Sequence, residues 1–375
     1  MLGMIVKEFR QLRRDRRTLA LMIVMPAVLL IVLGYAASFD VSSISAVVSG
    51  PQANAVAGAL HKPFDVVGVE PGQGAAWAHS ELQDGKAVTA FVTGAHPQVL
   101  IDGSQLFAAR SALTALASLS HSSSGGAPAS ASLAVATPQI LFNPDLKTSY
   151  IMIPGLAGLV LVFIGTIVTS LGVVRERETG TLEQLAVMPI RPRDVFLGKI
   201  VPYFVVAAVD LAIVLIIGVS VFGVPFNGSV AEYALGALLF LFATLGTGVV
   251  ISSVSQNQGQ ATQLALMTVL PQVLLSGLIF PLASITVGVR WISYAFPLTY
   301  FTEISRGVML RDESISGLWL PFVCLAGIGC AMLVLATLRF RAYLQPSEGH
   351  ARRRPGRRPP APETATAMAG AGERK

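Results

Sequence analysis

Little in this chain carries charge. Asp, Glu, Lys and Arg make up 13% of its 375 residues, while 53% are hydrophobic and the mean hydropathy is +0.65. Ordinary soluble domains hold about 25% charged residues, so a purely soluble protein is excluded and an integral membrane protein is implied. Cysteine is almost absent. Cys324 and Cys330 lie six residues apart in one apolar run, where a helix points them to nearly opposite faces. They cannot pair within the chain, so no disulfide framework holds the fold. No histidine falls in a long apolar run, and His61, His79, His96 and His121 lack ligand spacing, which excludes a zinc centre of the usual kind. Gly198 and Lys199 resemble the end of a P-loop, but Arg193 stands where its first glycine belongs and Ile200 where Ser or Thr is needed. The reading is a chain with no catalytic residues, no metal and no cofactor of its own. Any ATP and Mg that drive it belong to a partner polypeptide.

What is present is apolar sequence in long runs. About 20 apolar residues span a bilayer, and six segments qualify: residues 18–38, 149–174, 200–223, 231–254, 262–283 and 317–338. The first exceeds a signal-peptide core and ends in only a weak cleavage-like sequence, Gly34-Tyr35-Ala36-Ala37-Ser38, so it reads as a true span. Lys and Arg set the orientation. Residues 1–17 carry Lys7, Arg10, Arg13, Arg14, Arg16 and Arg17, and further basic residues crowd 175–199 and the tail after Leu338. Residues 39–147 hold only Lys62, Lys86, Arg110 and Lys147. By the positive-inside rule both termini are cytoplasmic and residues 39–147 are outside. An even number of spans agrees.

The expected fold is an all-α polytopic membrane protein of six transmembrane helices. A small α/β extracytoplasmic domain lies between the first and second, and re-entrant helices between the fifth and sixth. Residues 1–17 form an amphipathic helix, with Leu2, Ile5, Val6, Phe9 and Leu12 at helical spacing. Span 18–38 leads to the outer domain, 39–147, with strands at 44–49, 64–69, 88–93 and 98–101 and helices at 52–60, 74–82 and 104–120. Residues 121–132 are a flexible Ser/Gly/Ala linker. After the second span (148–174) come a cytoplasmic loop (175–199) and a region of four spans (200–338). There, apolar residues 271–285 and 292–310 are broken by Gly277, Pro281 and Pro297, which suits helices that enter the membrane and turn back. Trp291, Tyr294 and Tyr300 fit an interfacial belt. The basic tail, 339–375, is read as disordered. Its Arg352, Arg353, Arg354, Arg357 and Arg358 rest on anionic lipid or simply enforce topology.

Two features concentrate chemistry. Asp210 lies about ten residues into the third span, where a carboxylate costs roughly 2.5–3.5 kcal/mol and requires a partner or a watery cavity. Lining of a substrate path and a hydrogen-bonded place at a helix interface both satisfy it. With Pro271, Gly277, Phe280 and Pro297 it makes up the candidate substrate pathway. The second feature is RERETGTLEQLAVMPIRPRDVFLGKIVPYF, residues 175–204. Thr181 followed by Gln184 forms a capping box. Leu182, Leu185 and Ala186 then share one face of a short helix that Pro189 ends. A two-turn surface helix with an apolar face for a partner results, or else a plain loop.

That stretch resembles the signature loop of ABC-2-type permeases, the membrane subunits of ABC exporters, in the subgroup with a large first outer domain. The Gly-Thr-Leu-Glu-Gln-Leu helix, the Pro-Ile-Arg turn and the Gly-Lys lead-in to the next span carry the likeness. KEFRQLRRDRRTLALMIVMP (7–26), LQDGKAVTAFV (82–92), VLIDGSQ (99–105), Pro-Leu-Thr-Tyr-Phe (297–301) and Arg306 extend it over most of residues 1–340. The resemblance implies a half-transporter that pairs with a second copy or a sibling permease in the lipid bilayer. Two cytoplasmic P-loop ATPase subunits would bind beneath it, and nucleic acid would play no part. Glu176, Glu178, Thr181, Leu182, Glu183, Gln184, Leu185 and Arg191 would form the ATPase-coupling surface. The cargo would be hydrophobic or amphipathic: a drug, natural product or lipid. Two other classes stand beside this one. A membrane sensor predicts a large cytoplasmic effector domain, and a secondary transporter predicts inverted repeats and several buried ionisable residues; the sequence supplies neither.

Overall fold

The computed structural model describes residues 43–122, 137–178 and 192–344. The amphipathic N-terminal segment, the first apolar run, most of the Ser/Gly/Ala linker, the capped helix at 181–186 and the tail from 345 lie outside the described residues.

The N-terminal part is an α/β domain. Its elements in order are β1 (Ile44–Ser49), α1 (Ala53–Ala59), β2 (Phe64–Glu70), α2 (Ala75–Gln83), β3 (Thr89–Val92), β4 (Gln98–Asp102), α3 (Leu106–Ser122) and β5 (Pro138–Leu141). The sheet order is β2-β1-β3-β4-β5, with only the β3–β4 pair antiparallel. Successive strand residues point to opposite faces, and here both faces are covered. Ile44, Ala46, Val48, Phe91 and Ile101 pack against α1 and α3. Val47, Ala90, Val92 and Leu100 pack against Ala78 and Leu82 of α2. A central strand buried on both sides reads as a continuous apolar run rather than an alternating one, and β1 and β3 do. Sequence reading placed four of the five strands. It passed over β5, a four-residue edge strand that opens on Pro138, a residue confined to strand ends and edges.

The remainder is helical. A long helix, α4, comprises Thr148–Val162, a π-helical stretch Phe163–Val168 and Thr169–Glu178. It is followed by α5 (Pro192–Ser220), α6 (Val230–Val254), α7 (Gln258–Leu275), α8 (Val287–Ser293), α9 (Pro297–Arg306, continuing through a π turn to Arg311) and α10 (Trp319–Leu344). Among the described residues, three stretches are long and apolar enough to cross a membrane: Thr148–Arg175, Val230–Val254 and Trp319–Arg339. The described side chains of α5 add a shorter apolar helix, Phe204–Ser220. The expected span at 262–283 needs correction. Its helix starts earlier, at Gln258, carries Gln260, Gln263 and Gln272, and ends at Leu275, because Gly277 turns to φ +83°. Left-handed backbone of that kind is open to glycine and ends a helix. Cys330 is exposed and Cys324 half-buried, as suits side chains on nearly opposite faces of one helix.

The bundle closes around glycines. A Cβ on Gly165 would sit 2.1 Å from Thr244 Oγ1, and one on Gly248 would sit 2.5 Å from the Gly165 carbonyl oxygen. Here α4 and α6 touch backbone to backbone, the close approach that small residues allow between apolar helices. The π-helical stretch of α4 falls at this crossing. Gly165→Ala is therefore expected to destabilise the bundle by about 1–3 kcal/mol, as overpacking does. Thermal unfolding in detergent would show it as a lowered Tm, and an unchanged Tm would mean that the helices part freely.

The short helix α9 occupies the middle of the bundle. Gly158 on α4 faces Leu298 and Phe301, Gly155 faces Leu278 and Thr302, and Gly236 on α6 faces Ile304. Phe301 stacks on Phe240 at 4.5 Å between ring centroids. Ser305 Oγ donates to the Pro154 carbonyl at 3.2 Å. Helix α9 thus runs antiparallel to the first turns of α4, wedged among α4, α6 and α10.

Candidate functional site

The bundle has two ends. At one, α4 begins below the α/β domain and the α5–α6 connection meets α9, with Asn227 donating to the carbonyls of Met309 and Leu310 at 3.0 Å each. At the other, α4 finishes at Glu178, α5 starts at Pro192 and α6 turns into α7.

At this second end Glu178 bridges two helices. One carboxylate oxygen accepts the backbone N–H of Gln258 at 3.0 Å, and the other accepts its side-chain amide at 2.5 Å. The α7 N-terminus is capped locally as well. Asn257 Oδ1 accepts from the Gln260 N–H at 2.8 Å, and Gln260 Oε1 accepts from the Gln256 N–H at 3.0 Å. A carboxylate suits a helix N-terminus, where unpaired amides and the helix dipole favour negative charge. The Gln258 side chain, then its backbone N–H, hold the Glu178 carboxyl below the usual carboxylate range. Of the other expected coupling residues, Glu176 lies in the last turn of α4. Thr181, Leu182, Glu183, Gln184, Leu185 and Arg191 lie outside the described residues.

The expected pathway residues divide. Pro271 is inside α7, Gly277 forms the break just above it, and Phe280 is buried with Leu275 and Ile285. Arg306 of α9 reaches back to this break, donating to the carbonyls of Gly277 at 3.1 Å and Leu278 at 3.4 Å. Arg290 fastens the next loop by donating to the carbonyls of Ala283 at 2.9 Å and Ile285 at 3.0 Å. Pro297 starts α9 and is buried. Asp210 stands apart, on α5, which packs against α4. It is half-buried beside the buried Ala207 and Leu211, and its side chain makes no hydrogen bond or ion pair with another described residue. Pro271, Gly277 and Phe280 therefore share one region that α9 closes, and Asp210 is not part of it.

Sequence reading missed a buried ionic cluster at the first end. Arg311 is 6% exposed and Glu313 3%. The guanidinium donates to one carboxylate oxygen of Glu313 from two nitrogens, the Nε at 3.0 Å, and to Ser104 Oγ at 3.4 Å. Gly85 leaves the space: a Cβ there would lie 3.0 Å from an Arg311 nitrogen. Gln83 donates to the Asp312 carbonyl at 3.3 Å. Asp102 adds a second carboxylate. Its Oδ1 accepts the Ser104 N–H at 2.8 Å, and its charge is felt by Arg311. Burial pushes the Asp102 carboxyl above its ordinary range, against the pull of Arg311. The same opposition acts on Glu313, with burial again the larger effect. The α/β domain is thus keyed to the end of α9, and Leu106 of α3 joins the apolar core of the bundle. Glu313 stands two positions from Arg311, but Ser104 is 207 positions away and Asp102 lies beside it, so the long-range half of the cluster leaves no local pattern.

Comparison with known proteins places the chain. Residues 16–338 match the family model described as ABC-2 family transporter protein. The probable multidrug ABC transporter permease YbhR of Escherichia coli K12 is 35% identical over 178 residues, 48% of each chain. The inner membrane transport permease YhhJ of the same strain is 32% identical over 203 residues, 53% of this chain and 54% of its own. ABC transporter G family member 20 of Dictyostelium discoideum is 26% identical over 204 residues, 54% of this chain and 28% of its own. The chain spans about half the length of the curated bacterial relatives it matches.

Proposed function

The chain belongs to the ABC-2 family of transporter proteins, and from that footing we propose that it is the transmembrane permease subunit of an ATP-driven exporter. It is a multi-pass protein of six transmembrane helices in the bacterial plasma membrane, with both termini in the cytoplasm and the α/β domain outside. Two P-loop ATPase subunits, which hold the ATP and Mg, bind beneath it, and a second copy or a sibling permease completes the pathway. The cargo is hydrophobic or amphipathic, in keeping with relatives named multidrug permeases.

One observation carries this reading. The loop that follows Glu178 leaves the bundle at the end opposite the α/β domain, and its Arg and Lys residues mark that end as cytoplasmic. The stretch around Leu182 and Leu185, which the sequence pattern reads as an apolar-faced helix, would then be within reach of a cytoplasmic ATPase. The exposed apolar faces of α5 (Val205, Val209, Ile213, Ile216) and α10 (Leu320, Val323, Val334, Leu338) suit lipid and a second permease.

Two measurements test the proposal. In a variant with Cys324 and Cys330 replaced by serine, His96→Cys should react with an impermeant thiol reagent in intact cells, and Gln256→Cys should not. The reverse pattern would invert the topology. The purified chain alone should leave ATP unhydrolysed, while the complex with its ATPase subunits should turn it over. Turnover by the chain alone, in a preparation free of contaminating ATPase, would defeat the assignment.

A further inference from the structure

Helix α7 is tied at both ends. At its base the Glu178 carboxylate holds the Gln258 N–H and side-chain amide. At its top Arg306 holds the Gly277 and Leu278 carbonyls, so that α9, in the middle of the bundle, is fastened to the break. Between these ties the helix runs Gln258–Leu275, with its Asn257 cap in place. Glu178 is also the last described residue before the loop at 179–191.

We propose that Gln258 is a positioning residue that locks the base of α7 to the outgoing end of α4, so that displacement of the 179–191 loop is carried along α7 to the Gly277 break. The inference rests on the reading of that loop as the ATPase contact. The physical case is geometric. A two-pronged, charge-assisted contact fixes orientation as well as distance. Glu178 and Gln258 are both exposed, and exposed pairs add little to global stability. What such a contact fixes is where two helix ends stand relative to each other. Apart from the one rung that Pro271 cannot make, α7 keeps its ladder of backbone bonds and moves as a unit, and the left-handed Gly277 is where the rotation is absorbed.

The test uses the full chain in complex with its ATPase subunits, with Cys324 and Cys330 replaced by serine. A thiol introduced by Ala283→Cys, at an exposed place just past the break, reports accessibility to a maleimide. The labelling rate is compared between the nucleotide-free complex and the complex trapped with ATP and vanadate. The parent should show a nucleotide-dependent change in rate. Gln258→Glu sets two carboxylates face to face and should abolish that change, while ATPase co-purification, basal ATP hydrolysis and Tm stay as in the parent. Adding Glu178→Gln to Gln258→Glu restores an amide–carboxylate pair with the partners exchanged, and should bring the change back. A generic structural defect would not be repaired by that exchange. The inference falls if Gln258→Glu keeps the parent's response, if the exchange fails to restore it, or if the parent shows no response. Failure of the ATPase to co-purify with the parent is a different result: it removes the permease reading and this inference with it.

Discussion

Arg311→Leu is expected to release the α/β domain from the helical bundle, at a cost of about 3–5 kcal/mol, the range for a buried ion pair that loses one partner. Asp102 and Glu313 are almost wholly buried, and without the guanidinium both carboxylates stay out of water uncompensated. Arg311→Lys is expected to repair little of this, because one ammonium cannot reproduce separate nitrogens aimed at Glu313 and Ser104. A lowered Tm, with new protease cleavage between the domain and α4, is the measurement. The sign of the pH dependence follows from the two carboxyls. Burial raises both above their ordinary range in the folded protein. The folded state therefore holds their protons more tightly than the unfolded state does. The resulting stability is fully present below the ordinary carboxylate pKa and is lost as pH climbs through the raised values. Arg311 opposes that rise in pKa, so its removal enlarges the effect. The Tm deficit of Arg311→Leu should shrink on acidification from pH 8 to pH 5. A deficit independent of pH would mean that the cluster does not hold the domain in place.

Leu182→Asp with Leu185→Asp should separate the permease from its ATPase. The two leucines stand three positions apart, which in the proposed coupling helix would set them on one face, and a helix that short does not persist alone in water. Burial of each in a partner cleft contributes about 1.5–3 kcal/mol, and an aspartate reverses that gain. Co-purification of the ATPase at equal membrane abundance should be lost, together with permease-linked ATP turnover. Insertion should be unaffected, because residues 182 and 185 lie outside every long apolar run of the sequence. Glu183→Ala should have a smaller effect, since a charge at an interface rim contributes little. Unchanged co-purification in the double variant would reduce the loop to a connection.

Much of this protein was legible in one dimension. The strands β1 to β4 and the helices between them lie within a residue or two of where the apolar pattern puts them, because period and turn residues are local properties. The break after α7 was legible too, as Gly277 and Pro281 interrupt an apolar run. The length of that run was misleading. Residues 276–283 are as apolar as a span, yet the backbone turns at Gly277 and Phe280 packs into its own small cluster.

The sequence by itself determined the membrane class, the family, the α/β character of the domain and the places where helices break, since each depends on composition or on spacing within a few turns. Only the tertiary structure decided which polar residues matter to one another. Asp210 draws the eye in the sequence, but the fold leaves it on α5, away from the Gly277 region. Arg311 and Ser104 are 207 positions apart, and Glu178 and Gln258 are 80 apart. Pairings of that kind leave no periodic trace, because they arise only when whole helices have packed. For Arg311 the physical reason is burial: once packing takes a charge out of water it must find a partner, and the partner is whichever side chain the fold brings near. Glu178 and Gln258, both exposed, meet because packing sets two helix ends side by side.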